Sequence, residues 1–317
     1  MKKILVLTSG GDCSGMNAYI KALAKLCKKE NVKLVASIEG FQGLVDNNIV
    51  DIEYDNLGEI QNLGGTIIKT SRSKDFVTKE GFEKAIQTLK NHNIDCTVIV
   101  GGNGSMRGAN DLVNAGVNVI AIPGTIDNDL GYTQKTLGYD TACQNASEAI
   151  IKIKQTMQAC GRGTIVEVMG RNCADIAIRS AILSNADMLI TEKTNFEQIL
   201  IKTKMIMDSG VECPLIVVQE NLLSVSDLAK YLEENLKKEF RSSVIGYIQR
   251  GGEPTANDKL FAIELACATI KKIANGDYNW AIGERENKII CESIAYAVMV
   301  EKTKEDSLFA TYKQYCE

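Results

Sequence analysis

The feature that most constrains the fold is a three-part unit that the sequence repeats. In its first copy, an apolar run at residues 4–8 leads into a turn with Gly10 and Gly11, and from Met16 onward apolar residues recur every three or four positions. A short run that is apolar at every position is typical of a parallel strand buried on both faces. Strands that alternate with helices in this way predict an α/β protein. At 317 residues, we expect two Rossmann-like, three-layer domains with mainly parallel sheets.

The unit recurs once more in the first half, and a third strand end follows it. The run 96–100 leads into glycines at 101–104 and a helical pattern, and the run 119–122 leads into the acidic stretch 123–129. The side chains of interest in that stretch are Thr125, Asp127 and Asp129. We expect them to alternate along an extended segment and to point the same way. By itself the stretch could also be an ordinary polar turn. Three such strand ends together predict a nucleotide site, because ligands collect at the carboxyl ends of parallel strands and anions at helix N-termini.

The second half places arginine and glutamate at its strand ends. The alternation predicts strands at 164–168, 187–191, 215–218 and 242–248, and helices that include 174–186, 195–209 and 225–240. Arg171, Glu220 and Arg250 follow predicted strands, while Arg162 and Arg241 come just before them. The chain has only 8 arginines against 28 lysines. Because the planar guanidinium fork binds phosphate in a bidentate manner, these positions predict a phosphorylated substrate.

Composition excludes several other classes of function. The only histidine, His92, lies in a polar stretch, and none of the ten cysteines forms a Cys-x-x-Cys pair. We therefore expect neither histidine base catalysis nor a zinc site nor a disulfide framework. A net charge of -4 argues against a nucleic-acid surface. The N-terminal apolar run is too short for a signal peptide, and no run approaches a membrane span. We expect a cytoplasmic protein with no nucleic-acid or membrane partner.

Five stretches carry a resemblance to a known family: 8–12, 101–105, 123–129, 166–171 and 248–252. Over essentially its whole length the chain resembles the bacterial-type ATP-dependent 6-phosphofructokinases. The resemblance implies the phosphofructokinase fold. It assigns 1–138 plus 250–302 to a nucleotide-binding domain and 139–249 plus 303–317 to a sugar-phosphate-binding domain. It also implies a homotetramer in which a neighbouring subunit completes each sugar-phosphate site.

The implied activity is transfer of a phosphoryl group from ATP, with Mg²⁺, to the 1-hydroxyl of fructose 6-phosphate, which gives fructose 1,6-bisphosphate in glycolysis. The implied catalytic residues are Thr125, Asp127 as the base, Asp129 and Arg171. Those implied for ATP are Gly11, Arg72, Ser73, Gly102, Asn103, Gly104 and Ser105, with Asn103 and Asp129 at the metal. Those implied for the sugar phosphate are Thr125, Asp127, Arg162, Met169, Gly170, Arg171, Glu220, Arg241, Tyr247 and Arg250, of which Arg162 and Arg241 come from the adjacent subunit. An allosteric site is implied at Lys21, Lys25 and Lys154.

The chain departs from the family pattern at informative positions. Position 103 is usually a metal-site aspartate, and position 247 is usually a histidine at the 6-phosphate. Tyr54, Val211 and Cys213 replace basic residues of the effector site. Gly104 and Gly124 favour ATP, because pyrophosphate-using relatives carry an aspartate and a lysine there. The alternatives are a catalytically impaired paralogue that acts as a regulatory or structural subunit, and a kinase of the same fold that uses pyrophosphate or another sugar phosphate.

Overall fold

The computed structural model describes residues 1–302 and 306–316, which form two compact units. The first contains Met1–Thr141 and Arg250–Lys302, and the second contains Ala142–Gln249 and the C-terminal segment. Residues 303–305 and 317 of our second predicted domain lie outside the described part of the chain. The assignment of nucleotide and sugar-phosphate roles to two domains stays a prediction.

Strands and helices alternate along most of the chain, as expected for the α/β class. The strands are β1 (Lys3–Ser9), β2 (Lys33–Ser37), β3 (Ile49–Asp51), β4 (Cys96–Gly101), β5 (Val119–Pro123), β6 (Gly163–Val168), β7 (Met188–Ile190), β8 (Leu215–Gln219), β9 (Phe240–Val244), β10 (Trp280–Arg285) and β11 (Lys288–Ser293). The helices are α1 (Met16–Lys29), α2 (Phe41–Val45), α3 (Lys79–Asn91), α4 (Asn103–Asn114), α5 (Tyr139–Ala159), α6 (Asp175–Ser184), α7 (Phe196–Asp208), α8 (Val225–Leu236), α9 (Ala256–Ala274), α10 (Ile294–Met299) and α11 (Asp306–Cys316). None of the helices within residues 1–302 and 306–316 has the length and apolar composition that a bilayer crossing requires.

The first unit is built on a seven-stranded sheet in the order β11-β10-β5-β4-β1-β2-β3. Its five central strands are parallel, and only the edge strands β3 and β11 pair in the antiparallel sense. Leu5 and Leu7 of β1 enter the core on one face together with side chains of α3 and α4. Ile4 and Val6 alternate to the opposite face and are also fully buried. Burial on both faces explains why these strands are apolar at every position, and the predicted α/β class with mainly parallel sheets is confirmed.

The second unit has a four-stranded sheet in the order β7-β8-β6-β9, in which all pairs are parallel. Helices α7 and α8 pack on one face around Ile165, Ile216 and Leu228. The C-terminal helix α11 packs against α6 within the same unit.

The predicted strand at 242–248 and the predicted helix at 225–240 are both placed wrongly. The helix ends at Leu236, where Lys237 adopts a left-handed conformation with φ 54°. The strand β9 starts at Phe240, which is 1% exposed. Its ring packs so closely on Gly163 that a Cβ atom at that position would lie only 2.3 Å from the ring. Burial of this ring therefore fixes the strand two residues earlier than the apolar pattern suggests. Residues Gly246–Gln249 form a 3-10 turn instead of strand.

The start of α5 and the start of α9 cap each other within the first unit. Asp258, which is fully buried, accepts hydrogen bonds from Gly138 N (3.0 Å), Thr141 N (2.8 Å) and Thr141 Oγ1 (2.6 Å). In return, Asp140 Oδ2 accepts from Thr255 Oγ1 at 2.8 Å. Burial raises the pKa of Asp258 above its ordinary value, while the hydrogen bonds from Thr141 and Gly138 act in the opposite direction. The arrangement satisfies helix N-terminal donors that would otherwise be buried without partners.

We expect Asp258→Asn to lower the free energy of unfolding by about 3 kcal/mol. The side-chain NH2 group of asparagine would face a buried donor where the carboxylate now offers an acceptor. Asp227→Asn is the matched control, since Asp227 is also the third residue of a helix with a hydroxyl N-cap but is exposed. Its effect should stay within about 0.5 kcal/mol. Urea unfolding of both variants measures the difference. Equal destabilisation of the two variants would contradict the role assigned to the buried carboxyl.

Candidate active site

The three strand ends singled out in the sequence meet in space. Strands β5, β4 and β1 are parallel neighbours, and their registers place Ser9 beside Gly101 and Gly101 beside Pro123. The strand order reverses at β1, because β2 is added on one side of it and β4 on the other. A reversal of this kind opens a crevice at the carboxyl ends of the strands. The predicted convergence of the three turns is confirmed.

The glycine turn after β4 packs directly onto the turn after β1. Ser105 Oγ donates to Ser9 O at 3.2 Å, and a Cβ atom on Gly101 would lie within 3 Å of Ser105 Oγ and of Ser9 O. Only glycine fits at position 101. The Ser105 side chain is buried and shapes the turn, so its contact with ATP stays a prediction. Helix α4 has no side-chain N-cap, and it starts here with amide groups directed toward the crevice edge.

After β5 ends at Pro123, the acidic stretch bends in a turn at Ile126 and Asp127, and the expectation of an extended segment is wrong. Thr125 Oγ1 accepts a hydrogen bond from Asp127 N at 3.2 Å, which bends the chain. Asn128 then adopts φ 53°, a left-handed conformation that asparagine tolerates. The positions of Asp127 and Asp129 are therefore set by a turn and not by strand alternation. Asp127 is 7% exposed, a setting in which a carboxylate can act as a base away from bulk water.

An amide–carboxylate contact joins the turns after β4 and β5. Asn103 Nδ2 donates to Asp129 Oδ2 at 2.7 Å and to Asp129 O at 3.3 Å. The other carboxylate oxygen of Asp129, Oδ1, is buried and has no hydrogen-bond partner within residues 1–302 and 306–316. A buried carboxylate oxygen without a donor is costly, so Asp129 has an oxygen available for a ligand.

The segment 70–73 closes over the first glycine turn. Thr70 Oγ1 donates to Gly10 O at 2.9 Å. Ser73 Oγ donates to Gln42 Oε1 and accepts from Phe76 N, so this hydroxyl holds the loop. Arg72 is exposed and makes no hydrogen bond or ion pair with the described residues. Its cation is therefore available to an anion, whereas an ATP contact for Ser73 stays a prediction.

Arg250 belongs to the first unit, although the sequence grouped it with the sugar-phosphate residues of the second half. Its guanidinium lies on the turn after β1, where Nη2 is 2.5 Å from Asp12 Oδ1. A Cβ atom on Gly11 would lie 2.7 Å from the same nitrogen. Sequence reasoning gave Asp12 no role, because the two residues are 238 positions apart.

In the second unit, the loop after β6 is held by residues that follow β8 and β9. Glu220 Oε1 accepts from Gly170 N at 2.9 Å and from Arg171 N at 2.7 Å. Two glutamines also anchor this loop. Gln219 Nε2 donates to Arg171 O at 2.7 Å, and Gln249 Oε1 accepts from Met169 N at 3.2 Å. The structure thus brings together Met169, Gly170, Arg171 and Glu220 as predicted. The two glutamines were missed as loop anchors, and their only signal was a position beside a strand end.

Two negative charges lie close together at this loop. Burial raises the pKa of Glu167, and the charge of Glu220 raises it further. Glu220 itself is engaged with two backbone amides through one oxygen. It therefore has a structural task in the loop as well as the sugar contact that the sequence predicts.

Arg162 and Arg241 share one carboxylate at the start of β6 and β9. Arg162 Nε donates to Glu239 Oε2 at 2.6 Å, while Arg241 pairs with Glu239 and, at 3.3 Å, with Glu233. The hydrogen bond from Arg162 lowers the pKa of Glu239 below its ordinary value. These pairs are partly exposed, and exposed ion pairs contribute little to stability. Another anion could therefore replace Glu239 at small cost.

Comparison with known proteins decides the family. The sequence model described as PFK: Phosphofructokinase matches residues 3–273. A protein of Clostridioides difficile (strain 630) named ATP-dependent 6-phosphofructokinase is 37% identical over 315 residues, which is 99% of each chain. A protein of Clostridium perfringens (strain 13 / Type A) named ATP-dependent 6-phosphofructokinase 1 is 38% identical over 311 residues, 98% of each chain. The chain belongs to the phosphofructokinase family.

Solved phosphofructokinase structures share the fold. The structure from Saccharomyces cerevisiae matches with a TM-score of 0.90 at 25% identity, covering 100% of this chain and 50% of that one. The present chain thus spans half the length of the yeast chain. A pyrophosphate-dependent phosphofructokinase from Nitrosospira multiformis matches with a TM-score of 0.86 at 18% identity, over 96% of this chain and 86% of that one. At that identity the likeness concerns the fold alone.

The Asn103–Asp129 pair bears on the magnesium ion that the phosphofructokinase family implies. Within residues 1–302 and 306–316, no three His, Cys, Asp or Glu side chains cluster as a metal site. Mg²⁺ is commonly held by one or two carboxylates together with substrate phosphates. The unpartnered Oδ1 of Asp129 fits such an ion. We expect Asp129 to hold the ion when phosphate groups supply further oxygens.

We expect Asn103→Asp to create a site for free divalent cations. Two carboxylates at the present 2.7 Å contact repel each other, and a cation relieves the repulsion. Electron paramagnetic resonance of Mn²⁺ without nucleotide should give a dissociation constant about tenfold lower than for the unmodified protein. The melting temperature of the variant should also rise with added Mg²⁺. Asn103→Ala removes the amide without adding charge and is the control. Equal Mn²⁺ affinity in the unmodified protein and in both variants would show that position 103 faces away from the metal.

Gly104 and Gly124, the two glycines predicted to favour ATP, differ in their surroundings. A Cβ atom on Gly104 would have no atom within 4 Å. A Cβ atom on Gly124 would lie 2.6 Å from Val100 Cγ1 and 3.2 Å from Met16 Cε. Position 104 therefore accepts a side chain without strain, whereas position 124 does not.

The remaining predicted residues are exposed or have contacts of their own. Tyr247 is 80% exposed on the 3-10 turn after β9. Lys21 bonds to Gly58 O and lies 5.8 Å from the Tyr54 ring, while Lys154 donates to Asn185 O at the end of α6. Lys25 is exposed. A lysine at a helix C-terminus satisfies terminal carbonyls, which accounts for Lys154 without an effector, so the allosteric site stays a prediction.

Proposed function

We propose that this chain is an ATP-dependent 6-phosphofructokinase, which phosphorylates the 1-hydroxyl of fructose 6-phosphate in cytoplasmic glycolysis. One observation carries the proposal. The turns after β1, β4 and β5 converge around Asp127 and Asp129, in a chain that is 37% identical over 99% of its length to a named ATP-dependent 6-phosphofructokinase.

The proposed mechanism assigns the proton transfer to Asp127. Its carboxylate takes the proton of the 1-hydroxyl as that oxygen attacks the terminal phosphorus, and a carboxylate suffices because the transition state is loose. Thr125 contacts the transferred group, and Arg171 stabilises the negative charge that spreads over its oxygens. When bound, Mg²⁺ neutralises phosphate charge beside Asp129.

The nucleotide is held by the first unit in this proposal. Gly11, Gly102, Asn103, Gly104 and Ser105 supply backbone and side-chain groups at the two glycine turns, and the exposed cation of Arg72 pairs with phosphate. The open space at Gly104 leaves room for a phosphate of ATP. The crowded surroundings of Gly124 argue against the lysine that a pyrophosphate-using enzyme would carry.

The sugar phosphate is held by Met169, Gly170, Arg171, Glu220, Tyr247 and Arg250, and by Arg162 and Arg241 of a neighbouring subunit in a homotetramer. The replaceable pairing of both arginines with Glu239 supports an anion-binding role. Three large apolar side chains near the end of β9, Val244, Tyr247 and Ile248, are exposed, which suits a subunit contact. Light scattering coupled to size-exclusion chromatography tests the tetramer; a monomer at working concentration would contradict it.

The test of function is a coupled assay with Mg²⁺, fructose 6-phosphate and either ATP or pyrophosphate. Turnover with ATP, and not with pyrophosphate, is the expected result. A second candidate is a catalytically impaired paralogue. It is favoured by Asn103, which carries no charge and donates a hydrogen bond to the Asp129 carboxylate. No turnover with either donor, restored by Asn103→Asp, would select this second candidate. Turnover with pyrophosphate alone would overturn the choice of donor.

A further inference from the structure

The turn that carries Asp127 is held by a later segment of the same unit. Thr136, which is fully buried, donates from Oγ1 to Thr125 O at 2.6 Å, and the same oxygen lies 3.3 Å from Asn128 Oδ1. One hydroxyl therefore contacts the turn both before and after Asp127. A hydroxyl has a single proton, and the shorter separation gives that proton chiefly to the Thr125 carbonyl. Asn128 also donates from Nδ2 to Gln134 O at 3.1 Å.

The segment 134–137 is itself fixed to the seven-stranded sheet. Leu137 N donates to Pro123 O at 2.8 Å and continues the parallel pairing beyond the end of β5. Gln134 N donates to Glu284 O of β10 at 2.9 Å. Main-chain hydrogen bonds to two neighbouring strands leave this segment little freedom to move. It is therefore a firm support for the turn that it contacts.

Inside the turn, Thr125 links this support to Asp127. Its Oγ1 accepts from Asp127 N at 3.2 Å, while its main-chain oxygen accepts from Thr136. In the proposed mechanism, Thr125 contacts the transferred phosphoryl group and Asp127 takes the proton of the attacking hydroxyl. Reacting groups must hold their positions closely, because a misplacement of about 1 Å can cost a factor of about 100 in rate.

We propose that Thr136 is a positioning residue for phosphoryl transfer, acting through Thr125 and Asp127. The inference rests on the proposed function, in which Asp127 is the base. Because Thr136 is fully buried, it does not touch a substrate itself. Without its hydroxyl, the Thr125 carbonyl loses this donor and turns toward another one, and the rest of the turn moves with it. The consequence is slower chemistry and not weaker binding of the substrates.

Steady-state kinetics of Thr136→Val with ATP, Mg²⁺ and fructose 6-phosphate test the proposal, since valine has nearly the same shape and lacks the hydroxyl. We expect kcat to fall about 30-fold. The KM values for fructose 6-phosphate and ATP should each change less than about threefold. Thr136→Ser keeps the hydroxyl and should restore kcat to within about threefold of the unmodified protein.

A double-mutant cycle with Asp127→Asn shows whether Thr136 acts through the base. When the base is already absent, its misplacement has no further consequence. Thr136→Val should therefore lower kcat by less than about threefold in the Asp127→Asn background, against about 30-fold in the unmodified background.

Thr269→Val is the matched control for a general loss of stability. Thr269 is also fully buried in the first unit, where its hydroxyl donates to Leu265 O at 2.8 Å and lies 2.9 Å from Tyr19 Oη. Urea unfolding should show a similar destabilisation of both valine variants, while kcat of Thr269→Val stays within about twofold of the unmodified protein. Should Thr136→Val fail to fold, Thr136→Cys takes its place, because a thiol is only a weak donor.

The outcomes separate this inference from the proposed function. In an enzyme that phosphorylates fructose 6-phosphate, three results would overturn the inference alone: an unchanged kcat in Thr136→Val or its cysteine substitute, a full additional loss in the Asp127→Asn background, or an equal loss of kcat in Thr269→Val. Failure of the unmodified protein to phosphorylate fructose 6-phosphate would overturn the proposed function, and the inference with it.

Discussion

Replacing Asp127 by asparagine should lower kcat about 1000-fold, because the amide cannot accept the proton of the attacking hydroxyl and base catalysis contributes on this scale. Asparagine has nearly the same size, and the hydrogen bond from Asp127 N to Thr125 Oγ1 belongs to the main chain and is kept, so the buried turn should remain folded. The KM for fructose 6-phosphate should change less than about threefold, since the loss concerns the transition state. Steady-state kinetics and calorimetry of sugar binding measure the two quantities separately.

Asp127→Ser is the companion variant. It removes the carboxyl group altogether and should lose a similar factor in kcat while it retains sugar binding. Retained turnover in either variant would mean that another group, or solvent, takes the proton. A parallel loss of sugar affinity and melting temperature would mean instead that Asp127 holds the turn together.

Gly104→Asp should lower kcat/KM for ATP about 100-fold. The new carboxylate would stand in the first turn of α4, where the phosphates of ATP are proposed to bind, and like charges in contact cost several kcal/mol. No atom lies within 4 Å of the added Cβ, and an acidic residue in the first turn of a helix is favourable. The melting temperature should therefore not fall, which separates lost binding from lost folding.

Gly104→Asn is the matched control for this prediction. It has the same shape without the charge, and we expect it to retain most of the activity with ATP. Equal losses in the aspartate and asparagine variants would assign the effect to volume instead of charge. Unchanged kinetics in both variants would place the nucleotide away from Gly104.

The sequence predicted the parts of the fold that burial dictates directly. Strands such as β1 and β4 are apolar at every position because both faces are covered, and the glycines after them are required by close contacts such as that between Gly101 and Ser105. Parallel pairing then brings the strand ends together. For this reason the class of fold and the convergence of the turns after β1, β4 and β5 could be derived from local pattern alone.

The sequence failed where tertiary packing overrides local pattern. The exposed apolar residues 244–248 resemble a strand, yet Phe240 fills the space beside Gly163 and sets the start of β9. The left-handed Asn128 cannot be read from alternation. The Asp12–Arg250 pair joins positions 238 residues apart, so no local signal predicts this contact.

The crowding around Gly124 has a consequence for how the donor could change during evolution. A side chain at this position would collide with Val100 and press against Met16, both of which are fully buried. A lysine for pyrophosphate could be accepted only after one of these neighbours had become smaller, and that first step leaves a cavity with no gain of function. An aspartate at position 104 meets no such obstacle. Starting from this chain, a gain of pyrophosphate use therefore depends on the order in which substitutions occur.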